Sequence, residues 1–187
     1  MEKKNKMDGS NWVKLLLSVL IANGIRLLRI IPNNDPIMSM ALPFSKRSSV
    51  LVSFAFPLVT MVSFDIVTGY IGTWTLVTGI TYGLIGLGFH YFLKDKTKVG
   101  MKMYLGCGVL GVLVFDFITG VLATPLMFGM TFQAAFTGQI PFTAMHLLTT
   151  CAFILVVTPL LDKQVLLSVK LDDHRVWEYL TRLRITT

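Results

Sequence analysis

Asp116 stands in the run VLVFDFITG with no basic residue beside it in sequence. An ionisable group at membrane depth costs roughly 2.5–3.5 kcal/mol on insertion scales, so such a group normally faces a protein interior or a cavity. Few other polar groups share that setting: Arg26, Arg29, Asp65, Gln139 and His146. The two arginines and two aspartates cancel in charge, and Arg binds carboxylate bidentately. Two Arg–Asp pairs are therefore expected near the outer ends of their helices, either as plain structural ion pairs or as a polar wall beneath an outward-facing cavity. Gln139, Thr143, His146 and Thr150 follow i, i+4, i+7 and i+11, a single polar stripe that should face a helix bundle. His146 reads as a hydrogen-bonded pocket or core residue. No second His or Cys lies near it at metal-ligand spacing, so no metal site is expected. Tyr70, Trp74, Phe128, Phe132, Phe136 and Phe142 lie in or beside uncharged connections. They are either ordinary interfacial aromatics or the apolar surface of a pocket for a flat ring. Cys107 and Cys151 fall inside apolar runs without CxxC spacing. No nucleotide-binding loop, nucleophile elbow or HExxH occurs, so no cofactor is implied.

The elements that must position these residues are membrane helices. Of the 187 residues, 53% are hydrophobic and only 14% charged, whereas soluble domains carry about 25% charged residues. The mean hydropathy is +0.68. The fold class expected is all-α, a polytopic membrane protein of six transmembrane helices with the second one short, followed by a cytoplasmic amphipathic C-terminal helix. The expected spans are Trp12–Ile31, Pro36–Phe44, Val50–Thr68, Thr73–Leu93, Met103–Ala123 and Ile140–Leu161. Trp12–Ile31 is too long for a signal-peptide core and is read as a retained helix. Asp35 is a good N-cap and Pro36 a good first residue for the short second segment, which is tilted, broken or re-entrant. Gly79, Gly83 and Gly86 form a close-packing face. His90 is placed at a helix end near the interface. Thr124–Gln139 reads as a long outer connection and mobile lid, with Gly129, Gly138 and Pro125 as its hinges.

Apart from Arg26 and Arg29, the lysines and arginines fall in the N-terminal segment, the 45–49 and 94–102 loops, or the tail. By the positive-inside rule both termini are then cytoplasmic and the chain sits in the plasma membrane. The net charge of +7 reflects this orientation. No basic stripe interleaves with aromatics, and nucleic acid is not an expected partner. Residues 1–161 form the expected transmembrane substrate-binding domain. Residues 162–187 form the tail, with Val176, Leu180 and Leu183 on one helical face.

Two hexamers repeat: FDIVTG at Phe64–Gly69 and FDFITG at Phe115–Gly120. Weak internal repeats of this kind are common in transporters. Together with RIIPNNDPI and GQIPFTAMHLL, the layout resembles the substrate-binding S components of energy-coupling factor (ECF) transporters, in an uncharacterised branch of S-component-like proteins. The resemblance covers about residues 12–161. It implies a pocket built from Pro32–Asp35, Gly69–Gly72 and Thr124–Gln139, with Asn33 and Asn34 among the binding groups. It also implies uptake of a vitamin-like micronutrient and docking onto a transmembrane scaffold subunit driven by ATPase subunits. This chain itself would then be no enzyme. The nearest match to the family's AxxxA docking motif is Ser18-xxx-Ala22, also readable as internal packing. Two rival readings remain. One is a membrane scaffold or interaction subunit without transport. The other is an intramembrane aspartyl protease using Asp65 and Asp116, although its GxGD signature is absent.

Overall fold

The computed structural model describes residues 9–29, 33, 35–96 and 99–162. Asn34, Thr97 and the tail from residue 163 onward lie outside the described residues. The described residues are all-helical: α1 (Gly9–Leu28), α2 (Ile37–Arg47), α3 (Val50–Thr68), α4 (Thr73–Leu93), α5 (Met101–Phe128) and α6 (Phe132–Asp162). Four of them, α3 to α6, are long and apolar enough to cross a membrane. In α1 the apolar stretch Leu15–Leu28 is shorter.

The short second helix is the centre of the molecule. Its 11 residues rise only about 16 Å, half of a ~30 Å hydrocarbon core. It packs against α3, α4, α5 and α6, and Ile37 to Pro43 are all buried. The Asp35 carboxylate caps it as expected, accepting a hydrogen bond from Ile37 N–H at 2.9 Å. At its far end Lys46 and Arg47 pair with Asp162, the last residue of α6, with Arg47 Nη2 at 2.7 Å. Asp162 therefore belongs to the bundle and not to the tail. One core cluster joins Met38 and Leu42 of α2 to Tyr82, Phe89, Val112 and Ile154. A second joins Met40 and Ala41 to Val19 and Ala22 of α1 and Phe56 of α3.

The glycine face of α4 packs as expected. Pro57 of α3 lacks the N–H that would bond the Ser53 carbonyl. A methyl group at Gly86 would run into that same carbonyl oxygen. A methyl at Gly83 would meet the Phe54 ring. The lost hydrogen bond in α3 thus opens the place where α4 approaches most closely. Ser45 Oγ donates to the Gly86 carbonyl at 3.1 Å, which fixes α2 against the same point. His90, in the last turn of α4 as expected, is buried within the protein, with Nδ1 2.9 Å from the Ser45 carbonyl and 3.3 Å from Ser53 Oγ.

The long outer connection does not exist in this form. The fifth helix continues through a π-helical stretch, Phe117–Ala123, and a final α turn, Thr124–Phe128. The sixth helix begins at Phe132, eight residues earlier than the expected Ile140. Only residues 129–131 join them. Gly129, at φ 69°, closes α5 through a bond from its N–H to the Pro125 carbonyl. Such a left-handed residue ends a helix with least strain when it is glycine. Thr131 then starts α6, its Oγ1 accepting from Ala134 N–H at 3.2 Å. Stop and start signals with one residue between them leave no room for a lid.

Candidate functional site

Of the groups expected to do chemistry, Asp116 and His146 meet, and they are joined by a second carboxylate, Asp35. His146 is buried on α6. Its Nδ1 lies 2.9 Å from Asp116 Oδ1 on α5. Its Nε2 lies 3.3 Å from Asp35 Oδ2 at the start of α2. Tyr82 of α4 donates its hydroxyl to that same Asp35 oxygen. Phe115 and Phe142 meet the imidazole edge-on, each with a centroid separation of 6.0 Å. Four helices thus meet at one buried carboxylate–imidazole–carboxylate chain.

Each member has a local reason to be there. Asp35 sits at the N-terminus of a helix that begins inside the bundle, where the helix dipole favours a negative charge. Asp116 is the last α-helical residue before the π-helical stretch. Such π segments widen the turn and are frequent at functional sites. Thr119 Oγ1 bonds the Phe115 carbonyl at 2.8 Å, and Thr124 Oγ1 bonds the Thr119 carbonyl at 2.9 Å. Within the π stretch, the bare Cα of Gly120 makes room for the amide of Gln139. Gln139 in turn reaches Thr143 Oγ1 at 3.4 Å. Gln139, Thr143, His146 and Thr150 therefore do form an inward stripe, with His146 and Thr150 fully inside.

An imidazolium donates from both ring nitrogens, so one proton set on His146 satisfies an oxygen of each aspartate. Asp116 Oδ2 is left over: it is buried and has no hydrogen-bond partner among the described residues. The two carboxylates lie on opposite edges of the ring. Among the described residues no group of three or more His, Cys, Asp or Glu side chains is arranged to hold a metal ion.

The expected Arg–Asp pairs are corrected by this arrangement. Asp116 pairs with His146, and Asp65 and Arg29 have no ion pair among the described residues. Arg26 lies over the Phe64 ring at 3.9 Å, with Nη1 3.2 Å from Met61 Sδ, within the fields of Asp35 and Asp65. The physical reason is direction. The first helix runs alongside α3, with Asn23 bonded to Ser63 at 2.7 Å, so its arginine meets α3 and not α5. Arg29 is exposed past the end of α1, at φ 48°.

The chain matches no protein-family model, no curated protein and no solved structure.

Of the remaining expected residues, Asn33 donates to the Phe142 carbonyl at 3.2 Å, and its own carbonyl accepts from Thr149 Oγ1 at 2.8 Å. That holds the segment before α2 against α6, beside the histidine. Trp74 and Phe128 pack at 5.7 Å and join the start of α4 to the end of α5. Tyr70 and Phe132 are exposed and stand apart from the buried chain. Ser18 and Ala22 are buried in the chain's own core. Their small size lets α1 approach its neighbours, and the outward face of α1 is instead Leu16, Leu17 and Leu20. Sequence reasoning missed Tyr82 as a site residue and placed Asp35 only as a helix cap at the end of an implied pocket segment. For Asp35 the signal was its place as cap of a helix too short to reach both surfaces. Tyr82 gave none beyond its position on an apolar helix.

Proposed function

We propose that this chain is the membrane-embedded substrate-binding subunit of an ECF-type importer for a small, ring-containing, vitamin-like micronutrient. The observation that carries this reading is the free oxygen of Asp116 on a polar chain otherwise satisfied at the centre of an apolar bundle. Buried polar atoms are nearly always paired, and an exception calls for a ligand or another role. A substrate N–H or O–H would complete Asp116, and a flat ring would pack against Phe115 and Phe142. The Trp74–Phe128 contact would close the outer side in place of the expected lid. Six crossings, with both termini cytoplasmic in the plasma membrane, fit the lysine-bearing turns and the uncharged outer ones. Energy would come from a transmembrane scaffold subunit and ATPase subunits.

The placement of the aspartates favours this over proteolysis. A protease dyad on Asp65 and Asp116 needs two carboxyls sharing a proton, whereas Asp116 is paired with His146 and no hydrogen bond joins it to Asp65 among the described residues. The deciding experiment is mass spectrometry of small molecules released from protein purified from its native host, wild type against Asp116→Asn. One small molecule should be retained by the wild type and lost from the folded variant. Equal retention by both, or co-purified protein subunits with no small molecule, would overturn the proposal and favour a scaffold role.

A further inference from the structure

A second feature lies on the opposite side of α4 and α5 from the core. An apolar groove of about 580 Å³ runs lengthwise between them, with Leu84, Gly88 and Phe92 on one wall and Met103, Gly106 and Leu110 on the other. Its volume is that of a small-ligand site, typically about 300–1,000 Å³. Phe89 and Gly111 close its floor and rest against Met38 of α2.

The glycines divide into two kinds. A methyl group at Gly86, Gly108 or Gly111 would collide with a neighbouring element. A methyl at Gly88 or Gly106 would meet nothing within 4 Å. Glycine in a helix interior costs about 0.8–1 kcal/mol relative to alanine. No internal contact offsets this at Gly88 and Gly106, and both keep the groove open toward the bilayer.

One end of the groove is cationic. Lys96 Nζ lies 4.6 Å from the centre of the Phe92 ring, which lines the groove. Lys94 lies 5.2 Å over Tyr91. Lys102 is exposed, one residue before the groove residue Met103. Asp95 is the acidic residue among the described part of that turn. The fifth helix also starts here, at Gly100, with no side chain capping its first N–H groups. Such a start favours phosphate. From Phe92 to Thr81 the α4 wall extends about 16 Å, the depth of one leaflet of a ~30 Å hydrocarbon core.

We propose that this groove binds an anionic phospholipid. One acyl chain would lie along Gly88 and Gly106, and the phosphate would sit between Lys96, Lys102 and the start of α5. The charge at one end and the one-leaflet depth fit a lipid better than a helix, which would need small residues and apolar contact throughout its crossing. The site is independent of the buried histidine and of the transport reading.

The test is native mass spectrometry of the purified full chain with phosphatidylglycerol or phosphatidylcholine of identical acyl chains. Phosphatidylglycerol should survive activation that strips phosphatidylcholine. Lys96→Ala and Lys102→Ala should each lower phosphatidylglycerol occupancy about fivefold and leave phosphatidylcholine unchanged. Gly88→Leu with Gly106→Leu should abolish retention without lowering thermal stability. Equal retention of both lipids by the wild type would overturn the proposal. So would undiminished phosphatidylglycerol in the leucine variant, or a second protein chain whose loss follows the leucines. If the leucine variant fails to fold, the lysine variants decide alone.

Discussion

At the scale of the residue, His146 serves two buried carboxylates on one ring, 111 and 30 positions away in sequence. Removing one partner of a buried pair strands the other charge, at a cost of about 3–5 kcal/mol. His146→Ala is therefore expected to destabilise the protein by about that amount, seen as a lower temperature for half-loss of monodisperse protein in detergent. Adding Asp116→Asn to His146→Ala should recover part of the loss, since it removes one of the stranded acids. If the double variant falls by the full sum of the two singles, the two residues are not coupled.

At the scale of the element, the two kinds of glycine in α4 make opposite demands. Gly86→Ala places a methyl group on the Ser53 backbone carbonyl, which cannot rotate away. Overpacking of this kind costs about 1–3 kcal/mol. Gly88→Ala, two residues on, meets open space and should be neutral or stabilising by up to about 1 kcal/mol. Thermal scans of the two variants side by side would separate them. Equal behaviour would mean that α3 and α4 do not approach as closely as described. The glycine spacing on α4 was legible from sequence because helical periodicity alone puts Gly79, Gly83 and Gly86 on one side. Which glycines faced protein and which faced lipid was not, since Gly88 carries the same local signature.

At the scale of the molecule, the lysines of the α4–α5 turn and the uncharged α5–α6 turn predict that these turns lie on opposite sides of the membrane. In a background of Cys107→Ser and Cys151→Ser, Met130→Cys should label in intact cells with an impermeant thiol reagent. Asp95→Cys should label only after permeabilisation. The reverse pattern would invert the orientation, and labelling of both from outside would show that α5 does not cross.

The sequence by itself determined the membrane class, the helical ends at Gly69 and Asp35, the α4 glycine face and the polar stripe on the last helix. All of these follow from composition, helical period and capping chemistry, which act within a few residues. The tertiary structure alone decided what the aspartates do. The two repeated hexamers are nearly identical, and in each the threonine bonds the carbonyl four residues back, Thr68 to Phe64 and Thr119 to Phe115. In the first, Gly69 turns left-handed at φ 76° and ends the helix, leaving Asp65 half-buried at its margin. In the second, Gly120 stays within the helix, where the Gln139 side chain takes the space a methyl would fill. Asp116 is thereby held inside, opposite His146. The difference comes from α6, whose Gln139 lies 19 residues beyond Gly120 and packs on one hexamer and not the other, and no pattern within six residues could carry it.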